Sequence, residues 1–272
     1  MKKLYISDLD GTLLLDGAKV GEKTIYTINK LINEGANITF CTARNLAQCC
    51  DILSSFNLNL PVALVNGALV YDIKTKKYIK KSFISVEKLK KILDVYKKHN
   101  HFPFLFCLDN NDMVFEYVKE NNIVGEKFIE LFGKNFKSVN KRDDYLLNDN
   151  IVYISSFETH EKFEPIYNDL KEIKGITVQF YYDVNSTYWL IEILNDESNK
   201  MTATSFIKDD CGADFVVAFG DNDNDIPMLN FADIGVCVDN ATENAKKFAD
   251  VTIGDNNSEA VAEFIDKNFR KM

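Results

Sequence analysis

The chain of 272 residues is 46% hydrophobic and 27% charged, a globular composition with apolar material for a sizeable core and none of the bias of disordered or fibrous chains. Acidic residues outnumber basic ones, 41 to 32, for a net charge of −9. That balance excludes an extended footprint for nucleic acid or anionic lipid, and leaves room for a small phosphorylated ligand in a cleft with its own cation. The first residues carry two lysines but meet acidic ones by Asp8, and no apolar window reaches the ~18 residues of a membrane span, so a soluble, cytoplasmic protein is expected. The six cysteines form no CxxC pair and the three histidines, His99, His101 and His160, lack an HExxH spacing. Idle thiols in a reducing compartment and surface histidines are the expectation.

In chain order, Lys3–Ser7 reads as a short buried strand ending in the loop Asp8–Thr12, because it is a continuous apolar run of strand length. Ile25, Ile28, Leu31 and Ile32 then recur at helical spacing, with Gly35 where a helix ends. A strand at Ile38–Cys41, a helix at Leu46–Phe56 and a strand at Val62–Val65 continue the alternation, which predicts a Rossmann-like α/β core, a parallel sheet with helices on both faces. From Val86 the rhythm changes. A lysine-rich helix precedes strands at Phe102–Leu108 and Met113–Val118, a helix near Ile123–Phe132, a strand at Ile151–Ser155, a helix at Glu161–Ile173, and strands at Thr177–Tyr182 and Tyr188–Leu194. Adjacent strands of this kind pair mainly antiparallel. After Asn199 the alternation resumes, with a strand at Phe215–Phe219 and another at Ile234–Val238, each between helices. The expected organisation is a discontinuous core, residues 1–82 and 195–272, carrying an inserted α+β cap, residues 83–194.

Ligands of a parallel sheet bind beyond the carboxyl ends of its strands, and Asp8 and Asp10 stand there. Two carboxylates so close repel unless a cation joins them, and Mg²⁺ fits oxygen donors shared with phosphate and water. Asp8 is placed to attack phosphorus, and Asp10 to protonate a departing alcohol and then activate water. The same letters also suit an ordinary loop whose acids cap a helix or face solvent. The neighbouring strand ends weigh against that plain reading. Thr42-Ala43-Arg44 follows the second strand with a hydroxyl and backbone amides near a helix start. Lys200 opens a helix and offers a phosphate a counter-charge. Gly220-Asp221-Asn222-Asp223-Asn224-Asp225 puts three aspartates directly after an apolar run, with Asp221 as a further metal ligand, Asn224 and Asp225 orienting Lys200 or phosphate, and Asp223 facing solvent.

Taken together, Asp8-Leu9-Asp10-Gly11-Thr12, Thr42, Lys200 and Gly220–Asp225 resemble the four motifs of the haloacid dehalogenase superfamily, and the insert between the second and third resembles its Cof-type branch, subfamily IIB. Asn66-Gly67-Ala68 matches that branch's NGA segment. The resemblance implies Asp8 as nucleophile and Asp10 as acid/base. It implies Thr42, Lys200, Asn224 and the amides of Leu9 and Ala43 as phosphate binders, and Asp8, Asp221 and the backbone carbonyl of Asp10 as Mg²⁺ ligands. Thr12 and Asp225 would support these from behind. Two departures are visible, Ala43 and Met201 where the family commonly has Gly.

The function expected is a Mg²⁺-dependent phosphatase acting on a small phosphorylated metabolite, a sugar phosphate or similar, with the cap closing over the site. A phosphomutase would use the same aspartate pair. A phospho-signalling receiver or a silent phosphometabolite sensor is the non-enzymatic alternative, disfavoured because a receiver is about half this length and lacks an insert. Neither the individual substrate nor an oligomeric state is written in the sequence.

Overall fold

The computed structural model describes residues 1–118, 129–130, 138–183 and 187–269. In chain order the elements are β1 (Lys3–Ser7), α1 (Glu22–Asn33), β2 (Asn37–Phe40), α2 (Leu46–Ser54), β3 (Val62–Leu64), β4 (Leu69–Asp72), β5 (Lys77–Lys81), α3 (Val86–Lys98), β6 (Phe104–Asp109), β7 (Asp112–Val118), β8 (Ser138–Arg142), β9 (Ile151–Glu158), α4 (His160–Leu170), β10 (Ile176–Asp183) and β11 (Tyr188–Asn195). There follow α5 (Lys200–Cys211), β12 (Phe215–Gly220), α6 (Ile226–Phe231), β13 (Ile234–Val238), α7 (Glu243–Lys246), β14 (Val251–Ile253) and α8 (Ala260–Phe269). They form two compact units, Met1–Lys80 with Asn199–Met272, and Lys81–Ser198.

The first unit is built on a parallel sheet in the order β14-β13-β12-β1-β2. β1 and β12 are continuous apolar runs, buried apart from their first residues, as strands covered on both sides must be. The helices pack as pairs, α1 with α8 and α5 with α6. α1 turns Ile28, Leu31 and Ile32 inward and gives way to Gly35 at φ +97°, a left-handed stop that a residue without Cβ adopts freely. Register fixes the business end: Ser7 lies opposite both Phe40 and Phe219, so β1, β2 and β12 finish level with one another.

Residues 62–65 were expected to extend the parallel series, and here the structure differs. β3 touches the sheet only through a parallel bridge, Cys41 to Ala63, and pairs antiparallel with β4 in a small sheet ordered β3-β4-β5. The reason is local. Val65, Asn66 and Gly67 turn left-handed in succession, with φ of 51°, 52° and 88°, and reverse the chain after three strand residues.

The second unit carries a six-stranded sheet in the order β10-β11-β9-β6-β7-β8, antiparallel except for the parallel pair β7–β8. One face packs on α3 and α4 through Leu89, Ile92, Tyr96, Phe163, Ile166 and Leu170. Residues 195–198, assigned to the core by sequence, stay with this unit, since Asn195 donates to Ser82 and accepts from Lys88. The helix expected at 123–132 lies outside the described residues except for Ile129 and Glu130. His101, expected at the surface, is buried between the rings of Tyr96 and Phe163. No described helix is long and apolar enough to cross a membrane.

Candidate functional site

The site lies at the carboxyl ends of β1, β2 and β12, within the first unit. β1 ends at Ser7; Asp8 (φ −63°, ψ 163°) and Asp10 (φ −71°, ψ 129°) are extended on either side of a helical Leu9, and Gly11 turns at φ +71°. A side chain on Gly11 would be costly twice over: the conformation is left-handed, and a Cβ would stand 2.5 Å from Asp221 Oδ2. That glycine is what lets the first acidic loop lie against the last. Thr12 Oγ1 then donates to Asp221 Oδ1 at 2.7 Å, and Asn240 donates to the Gly11 carbonyl.

Lys200 is 1% exposed and stands at the first turn of α5, whose start is capped by Asn199 accepting from the Thr202 N–H. Its ammonium donates to Asp8 Oδ1 at 2.9 Å and to Asp225 Oδ1 at 2.5 Å. Asp225, fully buried, has its other oxygen, Oδ2, accepting from the Asp221 and Asn222 N–H groups at 2.9 and 3.0 Å. The three bonds it accepts make Asp225 the holder of the lysine and of the turn after β12. Asp223 is exposed and accepts from Thr242 and Asn244.

Ligand oxygens of Asp8, Asp221 and Asp225 fall within 4.8 Å of one another. Burial lifts the Asp8 carboxyl to about 8, Asp225 and Asp221 adding to the rise and Lys200 opposing it. Burial likewise raises Asp221 to about 6, against the Thr12 hydrogen bond. On Lys200 burial works against the charge, but Asp225 and Asp8 outweigh it and the pKa goes up, so the ammonium stays protonated. Three carboxylates facing one lysine, with two of them driven toward protonation, is the chemistry of a site that accepts a further cation. All its donors are oxygens, which suits a hard divalent ion. Cys41 ends the same region as a thiol that burial pushes up to about 12, so no thiolate competes there.

Thr42, fully buried, accepts from the Arg44 N–H at Oγ1, 3.1 Å, which leaves its hydroxyl proton to be donated elsewhere. Ala43 beside it is exposed. The N-cap of α2 is Asn45, reciprocally bonded with Gln48, so Thr42 is free of a capping duty. Two further residues join the site, Asn66 and Arg44, which lie in segments singled out by sequence but without a role assigned to them. The Asn66 N–H donates to the Thr42 carbonyl, and Asn66 Oδ1 accepts from Asn224 Nδ2 at 3.0 Å, which ties the second motif to the fourth. Gly67 lets this turn approach α5, where a Cβ would strike the Asn199 carbonyl. Arg44 grips Asp10 with two parallel bonds, Nε to Oδ2 at 2.7 Å and Nη2 to Oδ1 at 2.6 Å. The signal for Asn66 was the NGA turn itself; for Arg44 it was an arginine directly after a strand-end threonine.

Known proteins resemble the chain in sequence and in fold. The sequence profile of the haloacid dehalogenase-like hydrolases matches residues 5–265. Among characterised proteins the chain is 28% identical, over 98% of its length and 97% of the relative's, to the 5-amino-6-(5-phospho-D-ribitylamino)uracil phosphatase YitU of Bacillus subtilis (strain 168). It is 24% identical, over 95% of both chains, to the pyridoxal phosphate phosphatase YbhA of Escherichia coli (strain K12). Among solved structures, the phosphatase BT1666 from Bacteroides thetaiotaomicron superposes with a TM-score of 0.79 at 20% identity, covering 100% of this chain and 96% of that one. With a match that spans both units and every strand end of the site, the chain belongs to the haloacid dehalogenase-like hydrolases.

Proposed function

We propose that the chain is a Mg²⁺-dependent phosphatase that hydrolyses a small phosphorylated metabolite, a sugar phosphate or similar ester, through an aspartyl-phosphate on Asp8. The observation that carries the proposal is the pairing of a buried carboxylate, Asp8, with a fully buried lysine that Asp225 holds in place. Inward-facing charge of this kind is costly in a fold and is kept where a charged group must be received.

Asp8, Asp221 and the backbone carbonyl of Asp10 would hold the ion, which supplies positive charge beside the phosphoryl oxygens. Lys200, the Thr42 hydroxyl, the Asn224 side chain and the amides of Leu9 and Ala43 hold the phosphoryl group. An Asp8 oxygen attacks phosphorus as the ester P–O bond breaks, and Asp10 gives its proton to the departing alcohol oxygen. Asp10 then takes a proton from water, the resulting hydroxide attacks phosphorus, and the P–O bond to Asp8 breaks to release phosphate and restore the carboxylate. Thr12 and Asp225 act through their partners, fixing Asp221 and Lys200. Support for a small-metabolite substrate comes from the relatives, whose named substrates are phosphorylated ribityl-uracil and pyridoxal compounds.

The test is Asp8→Asn, which keeps shape and removes the nucleophile. Phosphate release from a panel of sugar, nucleotide and cofactor phosphates falls by more than a thousandfold in the variant while its unfolding midpoint stays within a few degrees. Turnover comparable to the parent protein in that variant rejects the proposal.

A further inference from the structure

The geometry points to Arg44 as the positioning residue of the acid/base Asp10, an inference that rests on the phosphatase reading above. Unlike Asp8, Asp10 has no buried lysine to locate it. Its side chain is half exposed and stands just before the left-handed turn at Gly11. Two parallel hydrogen bonds from one guanidinium, 2.6 and 2.7 Å, fix a carboxylate in both position and plane.

Arg44 is itself anchored at three further points. Nη1 donates to the Gln48 carbonyl at 3.1 Å, the N–H donates to Thr42 Oγ1, and the carbonyl accepts from the Val65 N–H. The arginine is thus built into the loop that presents Thr42, and it transmits the position of the phosphate-binding loop to the proton-transfer group. Since a misplacement of about 1 Å in a reacting group costs on the order of a hundredfold in rate, holding Asp10 in register with Thr42 is a distinct catalytic requirement. The guanidinium touches Asp10 and not Asp8, whose bonded cation is Lys200. Its contribution therefore runs through proton transfer.

The experiment measures Arg44→Ala and Arg44→Lys, alone and in an Asp10→Asn background, with p-nitrophenyl phosphate and with an alkyl phosphate. An aryl leaving group needs little help from an acid, so Asp8 is still phosphorylated while hydrolysis of the intermediate slows. Expected for Arg44→Ala are a fall in kcat of about 10- to 100-fold, a KM that falls in step with it so that kcat/KM stays within threefold of the parent, and a burst of p-nitrophenolate near one per site, because slowing only the hydrolysis of the intermediate lowers both constants together. The loss is larger with the alkyl ester. Arg44→Lys keeps the charge but not the fork, and its kcat lies nearer to Arg44→Ala than to the parent. Adding Arg44→Ala to Asp10→Asn lowers kcat by less than twofold, because the arginine then has nothing left to position. Losses that multiply in the double variant, a vanished burst, or a KM raised more than tenfold with kcat retained would each overturn the inference and make Arg44 a phosphate ligand or a structural residue. The Asp8→Asn control separates the two readings: turnover comparable to the parent there defeats the phosphatase, whereas multiplicative Arg44 losses defeat only this assignment.

Discussion

Asp225→Asn keeps the volume of a fully buried side chain and changes one charge. The aspartate makes three direct bonds, with Lys200 donating to Oδ1 at 2.5 Å and the Asp221 and Asn222 N–H groups donating to Oδ2 at 2.9 and 3.0 Å. An asparagine amide has one acceptor and one donor end. If its oxygen faces the two N–H groups, its NH₂ confronts the Lys200 ammonium, donor against donor; if it is flipped, the NH₂ confronts the two N–H groups. Either way one side of the network is lost. Against this, the substitution relieves repulsion of Asp8 and Asp221, both of which Asp225 pushes up. That relief acts through space on groups whose shifts are led by burial, whereas the lost bonds are direct, so the loss dominates. Removing one partner of a buried, hydrogen-bonded pair costs about 3–5 kcal/mol, and at about 2–4 °C per kcal/mol for a chain of this size the melting temperature falls by about 6–20 °C. The assay is urea unfolding and thermal melting by circular dichroism in chelator, with phosphate release measured in parallel well below the new midpoint. Stability within 1 kcal/mol of the parent would refute the view that Asp225 is the anchor of Lys200.

Divalent-ion binding is expected to strengthen as pH rises. Asp8, raised to about 8, and Asp221, raised to about 6, hold protons that an entering cation must displace. Titration calorimetry of Mg²⁺ in buffers of different ionisation enthalpy therefore shows net proton release between pH 6 and 8, and affinity that is flat in pH would contradict the shared carboxylate site. In the second unit, burial depresses His101 to about 4, the Glu158 charge opposing and Lys162 assisting. A neutral buried imidazole binds fewer protons than the unfolded chain between pH 6.5 and 4, so its share of stability is present above pH 6.5 and is lost as pH falls toward 4. The shift corresponds to about 3 kcal/mol. Comparing the parent with His101→Gln by urea unfolding at pH 7.5 and 4.5 shows the variant's relative stability improving at the lower pH by up to that amount; a difference independent of pH rules the linkage out.

Legibility in the sequence divides by range. Asp8, Asp10, Lys200 and Asp221 were readable because each follows an apolar run or opens a helix in a chain with parallel-sheet rhythm, and register at the ends of β1 and β12 then brings the acidic loops together without further instruction. Asp225 was readable as a support for Lys200, though not as a residue with both oxygens committed. Arg44 and Asn66 were less legible because their roles are contacts across the fold, with Asp10 thirty-four positions earlier and Asn224 more than a hundred later. Asn66-Gly67 is legible as a turn, and β3 keeps its expected parallel place beside β2 through one bridge. Its antiparallel pairing with β4 was not legible, because three consecutive left-handed residues, Val65 among them, defy the preference of a β-branched side chain. Strain of that kind is kept where the surrounding contacts demand it. His101 was misplaced for a similar reason: a polar letter after a lysine-rich helix looks exposed until Tyr96 and Phe163 close around it.

The central claim is that Asp8 carries the phosphoryl group between the two halves of the reaction. Acid quenching during turnover, followed by borohydride reduction of the acyl phosphate and peptide mass spectrometry, reads this directly. The account predicts homoserine at position 8 in substrate-treated protein, absent without substrate and absent in Asp8→Asn. Reduction at another carboxylate, or steady phosphate release with residue 8 unaltered under conditions that trap the intermediate, would contradict it.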